Sequence, residues 1–139
     1  MPSIKEHTLR VGASTNELER IRHFVADHAR DFGFDDHDIH DIQLAVDEAC
    51  TNVIKHAYQY KTDNQFCVRI GTRGNEMLVS IIDNGKPFDP DAYKMPTTQD
   101  QLNQKKRSGY GILLIRKLMD NVEYRKRNSR NEIRMTKKR

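Results

Sequence analysis

The stretch Asp47–Tyr58, DEACTNVIKHAY, decides how this chain is read. Ala49, Cys50, Val53 and Ile54 form an apolar stripe at helical spacing, which predicts a helix packed on a core. Along its other side Glu48, Asn52 and His56 recur every fourth residue, drifting by about 40° per step, and Lys55 joins them at the end. Two readings compete for that row. One is the solvated face of an amphipathic helix. The other is a metal–phosphate site, because an amide oxygen suits a hard cation and a carboxylate one turn away can orient a nucleophile. The helix alone does not separate them.

Working outward, residues 3–12 read as a strand carrying Ile4, Leu9 and Val11. Ser14 followed by Glu17 is a capping-box pattern, and it opens a helix with Leu18, Ile21, Phe24, Val25 and Ala29 on one face and Gly33 as its stop. The helix that holds DEACTN is expected from about Asp38 to Ala57. FCVRIGT (66–72) and MLVSIID (77–83) form a hairpin around Arg73–Glu76. Regular pattern is then lost between Asn84 and about Arg107. It resumes in GYGILLIRKLMD, a Gly-rich turn feeding a helix, and ends in a hairpin of NVEYRKR and EIRMTKK that turns over Asn128–Asn131. The order β-α-α-β-β-loop-α-β-β predicts an α/β two-layer sandwich: one domain over residues 1–139, with helices covering one face of a mixed β-sheet.

Composition narrows the class. The chain has 139 residues, 36% hydrophobic and 32% charged, enough for one real core in a polar globular protein. No apolar run approaches the roughly 20 residues of a membrane span, and MPSIKEHTLR has no apolar signal core. Cys50 and Cys67 are not a CxxC pair and fit buried thiols in a reducing, cytoplasmic setting. Charge is uneven: residues 1–60 hold 6 Lys/Arg against 11 Asp/Glu, and residues 61–139 hold 18 against 9. That basic half suits a phosphorylated ligand, an acidic partner or a solvated outer face. Tyr124–Arg139 has too little aromatic interleaving for a single-strand platform, so no direct nucleic-acid partner is expected. His37 and His40 among Asp36, Asp38 and Asp41 read as an acidic helix start rather than a metal cluster.

Two further segments carry chemistry. In DNGKPF, Asp83 ends a strand and Gly85 follows two residues later. The pattern is a turn, or else an acid that accepts from the exocyclic amine of a base while Gly85 admits a flat ring. Ser108-Gly109-Tyr110-Gly111 opens a helix just after Lys105, Lys106 and Arg107. It is a tight turn, or else a phosphate cradle using the helix N-terminus.

Taken in order, these segments resemble the Bergerat ATP-binding fold shared by gyrase-type ATPases and histidine kinases. DEACTNVIKH is similar to its N box, DNGKPFDP to its first glycine box and SGYGILLI to its second, with residues of about 86–108 similar to the ATP lid. Compact length, DNGKPFDP and GYGILLIRKLMDNVEYR are most similar to anti-sigma-factor serine kinases of the RsbW type. The resemblance implies Glu48 as catalytic base and Asn52 as Mg2+ ligand. It implies Asp83 with Gly85 at adenine, and Gly109, Tyr110, Gly111 and Arg107 around the phosphates of ATP. Lys55 and His56 are implied at the phosphate end, and Thr136 at the adenine end. Pro87 departs from relatives with a second glycine there, and Leu113 or Leu114 from those with a third glycine in the second box. By the same resemblance the protein is an ATP-dependent serine/threonine protein kinase and anti-sigma factor in a partner-switching system. It phosphorylates a STAS-domain antagonist, sequesters a sigma factor and forms a homodimer. The alternative is an ATP-binding regulatory module that binds its partner without phosphorylating it.

Overall fold

Alternating apolar and polar residues yield five strands: β1 (Lys5–Gly12), β2 (Gln65–Arg73), β3 (Glu76–Asp83), β4 (Asn121–Arg127) and β5 (Arg130–Lys138). Residues at 3.6-residue spacing yield α1 (Leu18–Phe32), α2 (Asp36–Asn52) and α3 (Tyr110–Leu118). The computed structural model describes residues 5–87 and 110–139, apart from the side chains of Tyr110 and Gly111.

Local chemistry accounts for the element ends. Ser14 caps a short 3₁₀ turn, Thr15–Glu17, by accepting from the Asn16 N–H at 3.2 Å, while Glu17 reaches Arg20 instead of closing the expected box. Gly33 ends α1 in the left-handed region, φ 105°. Asp35 caps α2 by accepting from the Asp38 N–H at 2.8 Å, so the acidic cluster there is a helix start, as expected. The β2–β3 loop is Gly74-Asn75 with φ 59° at Gly74, and the β4–β5 loop is Asn128-Ser129 with φ 59° at Asn128.

The strand order is β1-β2-β3-β5-β4, and every pairing is antiparallel. This corrects the expected mixed sheet. The α3 crossover returns β4 in the direction of β3, but the hairpin places β5 between them, so like-directed strands never become neighbours. Phe66, Val68 and Ile70 of β2, Met77, Val79 and Ile81 of β3, and Ile133 and Met135 of β5 form one buried face. Against it pack Ile21, Val25 and Ala29 of α1, Ile42, Val46 and Ala49 of α2, and Ile112 and Ile115 of α3. The opposite face carries Arg69, Arg73, Arg134 and Lys138, which is where part of the basic excess resides. Among the described residues, no helix is long and apolar enough to cross a membrane.

Candidate nucleotide site

The end of α2 departs from the single helix expected to Ala57. α-Helical geometry stops at Asn52, and Val53–Ala57 form a π-turn closed by Tyr58 N–H to Val53 O at 3.0 Å. A five-residue loop uses more residues per revolution than 3.6, which offsets the drift between Asn52 and His56. Gln59 and Tyr60 follow at φ 50° and 63°, turning the chain out of the helix. Glu48 and Asn52 are half-buried, whereas Lys55 and His56 are exposed. Asp47, the other acid of the motif, has a structural partner: Arg22 Nε on α1 donates to both its carboxylate oxygens at 3.0 and 2.8 Å. Glu48 makes no ion pair or hydrogen bond with its side chain among the described residues.

Across a small cleft stands Asp83, the last residue of β3. α2 lines this cleft with Ala49 and Asn52, the π-turn with Val53, β3 with Asp83, β4 with Tyr124, and β5 with Asn131 and Ile133. Asp83 is 4% exposed. Burial pushes its carboxyl above the usual carboxylate range, and the bonds it accepts from Asn131 and the Gly85 N–H pull it partly back. Those bonds are Asn131 Nδ2 to Asp83 Oδ1 at 2.9 Å and Gly85 N to Asp83 Oδ1 at 2.8 Å. Asn131 also donates to Gly85 O at 3.0 Å.

The two walls are joined directly. Lys86 N–H donates to Ala57 O at 2.8 Å, and the buried Tyr58 hydroxyl accepts from Asn84 N–H at 2.9 Å while donating to Gln65 O at 2.7 Å. A Cβ on Gly85 would lie 2.5 Å from Ala57 O. Gly85 therefore admits the α2 terminus before it admits any ring: the first requirement for glycine here is protein backbone, not ligand. This seam ties the row bearing Asn52 to the turn bearing Asp83.

The remaining expected site residues fall elsewhere. Thr136 does not join the cleft. Strand alternation points Asn131, Ile133 and Met135 toward the helices and sends Thr136 to the opposite face, beside Leu78, Arg134 and Lys138. Arg107 and Gly109 lie outside the described residues, as does most of the segment resembling a lid. Tyr110 and Gly111 open α3, which packs against α2. Asn131 is the residue that sequence reasoning missed, because the expected four-residue turn absorbed it. Read as a two-residue loop at Asn128-Ser129, the same hairpin places Asn131 in β5 opposite Asp83.

A helix layer over an antiparallel sheet, with a cleft between the α2 terminus and the end of a central strand, defines a histidine kinase-like ATPase domain. The family model of that description matches residues 11–137. The chain belongs to this family, and within it to the serine-protein kinases of the RsbW type. It is 32% identical over 136 residues to serine-protein kinase RsbW of Bacillus velezensis, covering 93% of this chain and 82% of that one. With the Bacillus subtilis protein of the same name it shares 31% over 121 residues, 82% of this chain and 74% of the other. Among solved structures, the RsbU and RsbW domains of Rv1364c from Mycobacterium tuberculosis match with TM-score 0.69 at 17% identity. That match covers 96% of this chain and 32% of the longer one. The catalytic domain of histidine kinase ThkA matches at 0.57 and 13% identity, covering 99% and 96%. These two likenesses concern the fold.

Proposed function

We propose that this protein is an ATP-dependent serine/threonine protein kinase that acts as a cytoplasmic anti-sigma factor. Its substrate is a STAS-domain antagonist, a sigma factor is the partner it sequesters, and it works as a homodimer. The observation that carries the reading is half-buried Asn52 on one wall of the cleft and buried Asp83, accepting two hydrogen bonds, on the other, with Glu48 one turn before Asn52 and without a side-chain partner among the described residues.

The base of ATP docks at Asp83, and the phosphates run along the α2 terminus toward Lys55 and His56. Asn52 offers a hard amide oxygen at the cleft, a donor type that fits Mg2+, and when bound that ion supplies positive charge to the phosphates. Glu48, one turn before Asn52, accepts the proton of the attacking hydroxyl as its oxygen bonds to the γ-phosphorus and the bond from that phosphorus to the β–γ bridging oxygen breaks, so that ADP leaves. Arg107 and the backbone N–H groups of Gly109, Tyr110 and Gly111 offset charge on the transferring group. Asp47 cannot replace Glu48 while Arg22 holds both its oxygens.

The test is incubation with γ-labelled Mg-ATP and a STAS-domain antagonist. Label is expected on the antagonist and is lost in Glu48→Ala with nucleotide binding retained. Transfer that survives Glu48→Ala overturns the assignment of the base. Nucleotide binding without transfer to any antagonist supports the module reading instead.

A further inference from the structure

We infer that Asn131 sets the base preference of the nucleotide site by fixing which oxygen of Asp83 faces the cleft. The inference rests on the nucleotide-site reading above and concerns a positioning residue that acts through Asp83.

Asn131 is 2% exposed, so each polar atom of its amide must find a partner within the protein. Nδ2 faces two acceptors, Asp83 Oδ1 at 2.9 Å and Gly85 O at 3.0 Å. Oδ1 faces a donor, the Tyr124 hydroxyl, at 3.2 Å. Turning the amide over would set its oxygen against a carboxylate and a carbonyl at once, so these neighbours dictate its orientation.

The consequence falls on Asp83. Its Oδ1 receives two donors, Gly85 N–H and Asn131 Nδ2, and its Oδ2 has no partner among the described residues. Ala49, Val53 and Ile133 give the cleft its apolar lining, and its other polar side chains are Asn52 and Tyr124. An ionised carboxylate oxygen only accepts. Adenine presents an amine donor at its six-position, whereas guanine presents a carbonyl oxygen there. Oriented in this way, Asp83 accepts from the first and repels the second.

Without Asn131 the carboxylate is held by Gly85 N–H alone and can rotate. Loss of that bond also removes part of what offsets burial, so the carboxyl moves further above its usual range and accepts less strongly. The discrimination itself should therefore fall, not only the affinity.

The experiment is displacement of a fluorescent ATP analogue by unlabelled ATP and GTP, with Mg2+ present, in wild type, Asn131→Leu and Tyr124→Phe. Wild type is expected to favour ATP by about tenfold or more, the scale set by one misplaced polar contact. Asn131→Leu should bring the two nucleotides within about threefold. Tyr124→Phe, which keeps the amide but releases its orientation, should give an intermediate ratio and serves alone if Asn131→Leu does not fold. A ratio unchanged in a folded Asn131→Leu, or in Tyr124→Phe if it stands alone, overturns the inference. So does a wild-type ratio near one with ATP still bound, which leaves the nucleotide-site reading intact. No displacement by ATP in wild type overturns both.

Discussion

Replacing Gly85 by alanine tests the seam between the two walls. Its backbone is not in the left-handed region, so the cost is steric. The new Cβ would sit 2.5 Å from Ala57 O, 2.7 Å from Ala57 C and 2.9 Å from Ala57 Cβ. Relief to ordinary contact at 3.4 Å requires a separation of about 0.9 Å, and even 3.0 Å requires about 0.5 Å. The bond from Lys86 N to Ala57 O, now 2.8 Å, cannot survive the larger movement. Overpacking costs about 1–3 kcal/mol and the lost hydrogen bond about 0.5–1.5, for a total of about 2–4 kcal/mol. For a chain of this size that lowers Tm by roughly 8–15 °C. ATP affinity should fall by more than about tenfold, because the same displacement carries Asp83 and Asn52 out of register. Differential scanning fluorimetry and titration calorimetry read both quantities. Gly12→Ala is the control, since its Cβ meets nothing closer than Thr62 O at 4.0 Å. A Gly85→Ala protein that melts within 2 °C of wild type, roughly the size of a neutral surface change, and binds ATP normally would refute the reasoning.

Three further outcomes follow from the same geometry. Tyr58→Phe keeps the ring but leaves Asn84 N–H and Gln65 O without their partner, so stability should drop by about 1–3 kcal/mol, read by urea denaturation. Asp83→Asn should weaken ATP binding by calorimetry yet raise Tm at neutral pH. Burial raises the folded-state pKa of Asp83 above 3.8, so its ionisation disfavours the fold progressively as pH rises through the folded value. The Tm gain of the variant should therefore shrink on acidification toward pH 4. His28 behaves oppositely. Burial and the neighbouring His7 ring, tilted by 31° with centroids 4.3 Å apart, depress its pKa below 6.5 against the pull of Asp31 and Asp27. Its contribution is complete above 6.5 and is lost as pH falls through the depressed value, so a thermal-stability profile of His28→Phe should be flatter below pH 6.5 than that of wild type.

The core was legible because its signals are local. Stripes such as Ile21, Val25 and Ala29, or Phe66, Val68 and Ile70, need only the period of their element. Gly33 likewise announced the end of its helix. What escaped depends on tertiary contacts. Nothing in VIKHA declares a π-turn; Ala57 O and the Tyr58 hydroxyl bind the turn after β3, more than 25 residues away in sequence. The antiparallel sheet depends on where the last hairpin inserts, which no local pattern records. Asn131 was hidden by a turn drawn two residues too long. Thr136 is different, because alternation with Ile133 and Met135 already assigned it to the far face.

The central claim is that the cleft between Asn52 and Asp83 holds ATP. Its most direct measurement is thermal unfolding with and without millimolar Mg-ATP. A ligand at 100 times its Kd stabilises by about 2.7 kcal/mol, so Tm should rise by roughly 8–13 °C in wild type and by much less in Asp83→Asn. No rise in wild type at millimolar Mg-ATP would contradict the account.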